Sequence, residues 1–149
     1  AIELADDGLS LKPGAGKRKI AGDQYEGTYI HKRDGYYYLI VSTGDFMKDY
    51  HVVVGRSRSL MGPYVDRAGR DMLGVHHELV VGNGNGFVAP GHNAEFVTDD
   101  KGQDWMLYHT RLEVGGPRYL ILDRIEWNDG WPEVRGHVPA RSAEAPVFE

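Results

Sequence analysis

The sequence predicts an all-β fold arranged as a radial array of sheets, and three observations carry that expectation. Residues 25–43 and 92–110 are one segment written twice, 67 positions apart. Residues 35–43 align without a gap on 102–110, and residues 25–30 fall on 92–97. Each unit then holds several short β-branched and aromatic runs bounded by turn residues, and such runs at a fixed period mark a β-propeller-like array. With one residue of slippage, residues 50–57 pair with 118–125 and 62–64 with 130–132. Finally, 20 glycines and 7 prolines are spread along 149 residues, and no amphipathic helical period stands out. In such an array Glu26 of one unit and His92 and Asn93 of the other open the first strands and face the central axis.

Taken in order, residues 1–24 are turn-rich around short apolar pieces, with Asp6-Asp7-Gly8 and residues 12–16 as the turns. Residues 2–4 and 17–20 are expected as outer strands of a preceding, incomplete blade. Residues 25–90 form the first complete blade. Its strands are expected over 25–31, 36–42 and 50–56, with Arg33-Asp34-Gly35 as a tight turn. A turn over 57–62 leads to a short fourth strand at 64–65, and residues 66–81 make a long excursion carrying His76 and His77. A loop of Gly and Asn follows over 82–86. Residues 91–134 form the second blade, with strands over 92–98, 104–110 and 118–126 and a short one near 132–134. The tail, 135–149, has little periodicity and is expected to wrap the outside.

Composition narrows the function classes. A formal charge of −5 with both signs interspersed argues against nucleic acid or an anionic membrane as the main partner. No run approaches transmembrane length. With no cysteine, disulfides and thiolate metal sites are excluded. The sequence starts at Ala1 without an initiator Met or signal peptide, which suggests a processed or truncated product. Two units do not close a propeller of roughly four to eight blades. Either they pair as a sandwich or further blades come from another chain.

Glu26 is the strongest candidate for chemistry. It stands between Tyr25 and Gly27 before an apolar strand, where an acid has no turn or capping task. A carboxyl beside aromatics near a central funnel suits a general acid; a surface glutamate at a strand start is the alternative. His92, brought in tightly by Pro90 and Gly91, can serve an ion or water on the axis, or be a hydrogen-bonded core histidine. With no second ligand at spacing, an ion there takes mostly water, as calcium tolerates. Arg118 can hold sugar hydroxyls through its planar fork or be an ordinary strand arginine. His109, at a strand end, can join the same region or simply pack. Tyr25, Tyr29, Trp105, Trp127 and Trp131 offer sugar-stacking faces, against a role as packing core.

Four motifs carry a resemblance: residues 25–30 (Tyr-Glu-Gly-Thr-Tyr-Ile), 54–64 (from Val-Gly-Arg-Ser to Gly-Pro-Tyr), 89–93 (Ala-Pro-Gly-His-Asn) and 127–132 (Trp-Asn-Asp-Gly-Trp-Pro). In this order and spacing they resemble glycoside hydrolase family 43, the arabinanases, arabinofuranosidases and xylosidases built on a five-bladed β-propeller. The resemblance covers about residues 1–134. It implies that Glu26 is the general acid, that His92 is the axial histidine holding a calcium or other ion through water, and that Arg118 contacts the sugar. Tyr25 and His109 are then expected beside the substrate. Thr28 departs from the family's usual Pro. The family's general base and pKa-tuning aspartates have no match, since Asp6, Asp7 and Asp23 lie in other contexts. The expectation is a C-terminal half-propeller of an inverting enzyme, acting on arabinan or arabinoxylan type pentose polymers. It is expected to be secreted or periplasmic in a bacterium, and completed by N-terminal blades from a second chain or a lost fragment. The alternative is a non-catalytic carbohydrate-binding half-propeller.

Overall fold

The computed structural model describes residues 1–149. Asp34 and Gly35 both take positive φ, 49° and 75°, which is the two-residue turn whose twist matches antiparallel strands. It joins β1 (Glu26–Arg33) to β2 (Tyr36–Thr43), and β3 (His51–Ser57) and β4 (Glu78–Val81) complete a four-stranded sheet in that order. Because strand side chains alternate, β2 feeds two cores. Tyr38 and Ile40 point with Val52 and Val54 into one, while Leu39 and Val41 point with Val53, Tyr64 and Met72 into the other. Burying each such side chain stabilises the fold by roughly 1.5–3 kcal/mol.

The fourth strand is a correction. Residues 64–65 form only isolated bridges, Val65 with Arg56 and with Asp71. The ladder on β3 is taken instead by Glu78–Val81, inside the expected excursion, because Val80 and Val81 can be buried completely there. Nor do residues 2–4 and 17–20 form strands. Leu4 makes one bridge with Leu11, and Ile20 and Ala21 pack on the second core, covering the first sheet.

In the second unit β5 (Val88–Gly91) and β6 (Phe96–Thr98) pair with β7 (Asp104–Arg111), and β8 (Tyr119–Arg124) pairs with it too. His109 faces Gly91 on one side and Leu120 on the other, and Met106 faces Phe96 and Asp123. So β5 and β6 share one edge, as a single inner strand interrupted at residues 92–95 rather than the continuous one expected over 92–98. The cause is local: His92 has φ 51°. The run expected over 118–126 is likewise broken at buried Ile125, and β9 (Glu126–Asn128) pairs with β10 (Trp131–Glu133) as a separate hairpin.

One core clamps the two sheets together. Phe96, Met106, Tyr108, Ile125 and Trp131 meet Tyr38, Ile40, Val52 and Val80 across it. Buried Asp104 sits at its rim and accepts from Arg33 (2.6 Å), Thr98 (2.6 Å) and Trp127 (2.7 Å), so its charge is compensated. The tail makes contacts on the second unit: Ala140 N–H reaches Asp123, and Val147 N–H reaches Asp99.

Candidate active site

Repeat mates gather at one end of the two sheets. Glu26 opens the inner strand of the first sheet and Asn93 lies in the break between β5 and β6, Ser42 and His109 stand near the ends of β2 and β7, and Tyr50 and Arg118 precede β3 and β8. Gly27, with φ 59°, and the register shift between Glu26 and Tyr29 bend the start of β1. Bulges of this kind re-aim a side chain; here Glu26 is left exposed to solvent.

The side chains touch in a chain. Tyr50 Oη donates to Glu26 Oε2 at 2.9 Å. The Tyr50 ring stacks on His109, with centroids 5.9 Å apart and planes at 13°. His109 lies in turn beside the His92 ring, at 6.5 Å and 30°. His92 N–H donates to Ser42 Oγ at 2.8 Å, linking the second inner strand back to the first sheet. Two glycines permit this closeness. A Cβ on Gly91 would collide with the Tyr50 ring, and one on Gly27 would press on the His92 ring.

Burial, reinforced by the bond to Glu26, pushes the Tyr50 phenol up to about 12, so it remains a donor throughout the neutral range. Burial, with the charges of Arg118, His92 and Arg111, pushes His109 down to about 4, so its ring is neutral at pH 7. His109 Nε2 and Asn93 Oδ1 are buried without a hydrogen-bond partner. The exposed Arg118, its guanidinium 5.7 Å from the centre of the Phe46 ring, provides the positive charge of the group.

Of the residues expected at the site, Glu26, His92, His109 and Arg118 are brought together. Tyr25 is turned elsewhere: its hydroxyl lies 2.7 Å from His77 Nδ1, and its ring packs on the second core. Trp127, Trp131 and Tyr29 pack in or against the core between the sheets, and Trp105 donates to Asp99. Sequence reasoning missed Tyr50 and Ser42 here. The signal was present, because they are the repeat mates of Arg118 and His109.

No three His, Asp or Glu side chains gather to hold a metal ion. His92 offers a single imidazole, so this chain's donors do not by themselves fit a resident ion. The group contains one carboxyl, held at one oxygen by Tyr50, and an arginine near Tyr50 and His109. Chemically it can deliver a proton to an oxygen and hold hydroxyl groups.

The sequence matches Glycosyl hydrolases family 43 over residues 1–132. It is 33% identical over 117 residues to an extracellular exo-α-(1→5)-L-arabinofuranosidase of Cellvibrio japonicus, covering 74% of this chain and 33% of that protein. It is 29% identical over 151 residues to an extracellular endo-α-(1→5)-L-arabinanase of Bacillus subtilis, covering 80% of this chain and 32% of that protein. The fold superposes on the α-L-arabinanase of Cellvibrio cellulosa complexed with arabinohexaose, with a TM-score of 0.80 at 30% identity, over 89% of this chain and 48% of that one. The chain thus spans about a third of these curated relatives and about half of that solved structure. Its two sheets are blades of a five-bladed β-propeller, and the chain belongs to glycosyl hydrolase family 43.

Proposed function

We propose that this chain carries the general-acid side of an arabinan-cleaving active site. Protonated Glu26 donates to the departing glycosidic oxygen, while a carboxylate from blades outside these residues activates water on the opposite face of the sugar. Inversion requires that base roughly 6.5–9.5 Å from the acid, leaving room for the water. Arg118 holds substrate hydroxyls. His109, neutral and stacked on Tyr50, walls the site. The observation that carries this reading is the placement of Glu26: an exposed carboxyl aimed by a bulge at the shared end of two blades, with one oxygen held by Tyr50.

A second observation supports completion by further blades. On the face of the second sheet turned away from the core, Val97, Leu107, Leu120 and Leu122 are 50%, 38%, 74% and 40% exposed. Strands apolar on both faces belong between two layers. The arabinan substrate and secretion are proposed from the named activities of the relatives, which are extracellular. An axial cation, in this reading, meets His92 through water and takes its other ligands from elsewhere. Metal content of the completed enzyme, compared between the native protein and His92→Ala, tests this, and equal content refutes it.

Hydrolysis of linear arabinan by the completed enzyme tests the acid. Glu26→Gln is expected to lower the rate about 10²–10⁴-fold. An unchanged rate removes Glu26 from the mechanism.

A further inference from the structure

Glu26 has no ion-pair partner, and its side chain is exposed, so a free carboxyl there would sample several rotamers and present either oxygen to a substrate. Burial and two contacts prevent this by holding the tyrosine that holds the acid. Tyr50 is 2% exposed; one face of its ring is stacked on His109, and the backbone of Gly91 is pressed against it. Its hydroxyl therefore stands at a fixed point, 2.9 Å from Glu26 Oε2.

We infer that Tyr50 is a positioning residue for the general acid: it occupies Glu26 Oε2 and so assigns the transferable proton to Oε1, facing the leaving oxygen. This rests on the reading of Glu26 as the acid. In the step itself the Oε1–H bond breaks as the proton passes to the glycosidic oxygen. The C1–O bond breaks, water adds its oxygen to C1, and the water's proton goes to the base carboxylate. Tyr50 keeps its proton throughout, as a group pushed up by burial does near neutral pH. It touches neither the sugar nor the water, and acts only through Glu26.

The stacked partners give the arrangement its logic. Tyr50 and Arg118 occupy equivalent places in the two units, yet only one can reach Glu26 as a neutral donor. An arginine at position 50 would pair with the carboxyl as an ion and keep it ionised, which defeats an acid that must be protonated. A phenol fixes geometry without adding charge. The neutral His109 ring beneath it likewise adds no charge against Glu26.

The test exploits leaving-group dependence in the completed enzyme. A dinitrophenyl arabinofuranoside departs without protonation, whereas linear arabinan needs the acid. The ratio of the two kcat values within one sample is independent of the folded fraction, so it stays readable even if a variant is partly unfolded. Tyr50→Phe keeps the ring and its stack and removes the hydroxyl. The arabinan-to-dinitrophenyl ratio is expected to fall about 5–10-fold, the value of one hydrogen bond, with KM for arabinan unchanged. Glu26→Gln should lower the same ratio far more. If Glu26→Gln lowers the ratio and Tyr50→Phe leaves it at the native value, the positioning role is overturned while the acid stands. Equal losses on both substrates in Tyr50→Phe would show a merely structural role and also overturn it. If Glu26→Gln leaves the ratio unchanged, the acid assignment itself fails.

Discussion

Glycine at position 91 is required by the ring beside it rather than by a turn. Its φ is not in the left-handed region, but a Cβ would enter the space of the buried Tyr50 ring. Gly91→Ala should therefore cost about 1–3 kcal/mol, the usual range for overpacking, and chemical denaturation of the 149-residue chain reads it directly. A loss below the measurement error would mean that the ring moves freely, and would weaken the stack on His109. The residue scale also shows what could be read beforehand. Glu26, His92, His109 and Arg118 were legible because each is polar where an apolar strand begins or ends. Tyr50 is less legible, since an aromatic before a β-branched run reads as core, and only its place as the repeat mate of Arg118 marks it. Tyr25 shows the converse: next to the acid in sequence, it faces the other side because strand neighbours alternate.

Among elements, the first hairpin was the most legible part of the fold. Asp34-Gly35 takes positive φ at both positions, as a two-residue turn requires; Asp129-Gly130 does the same between β9 and β10, a hairpin not anticipated from the sequence. Strand β4 was hidden because histidines and glycines flank its four residues, and burial alone decides that it pairs with β3. The break in the inner strand of the second blade is hidden for a different reason, since a left-handed residue at His92 leaves no mark in composition. Packing between the blades yields two predictions. Ile40 is fully buried there, so Ile40→Ala should cost about 2–5 kcal/mol in denaturant titration. His31, on β1, packs against Tyr29, Phe96 and Trp127, with Asp104, Arg33 and Glu95 as its charged neighbours. Burial lowers its pKa, only partly opposed by Asp104. The unfolded chain then binds a proton first as pH falls, so the stability from the neutral ring is present above about pH 6.5 and is lost below it. The melting temperature should fall from pH 7 toward pH 5 more steeply in the native chain than in His31→Gln; identical slopes would contradict this.

Across the whole molecule, the repeat explains why half a site can be built so completely. Two blades bring two copies of the same strand ends to the axis, and divergence between mates supplies the chemistry: carboxyl and amide, hydroxyl and imidazole, phenol and guanidinium. What the chain does not supply is a second carboxylate among these side chains. The exposed apolar face on β6, β7 and β8 is, in the proposed reading, the place where further blades pack. Leu122→Asp should leave the isolated chain within about 0.5 kcal/mol of native stability, as surface changes do, yet impair assembly with those blades. A large loss in the isolated chain would mean that the face is already covered by this chain itself. In the proposed mechanism Glu26 is the acid of a site whose base lies outside these residues. Linear arabinan hydrolysis, measured on the 149-residue chain alone and on the enzyme completed with its other blades, tests this most directly. The predicted result is no turnover by the chain alone, and turnover by the completed enzyme that Glu26→Gln lowers at least about 100-fold. Turnover by the chain alone, or a completed enzyme indifferent to Glu26→Gln, would contradict it.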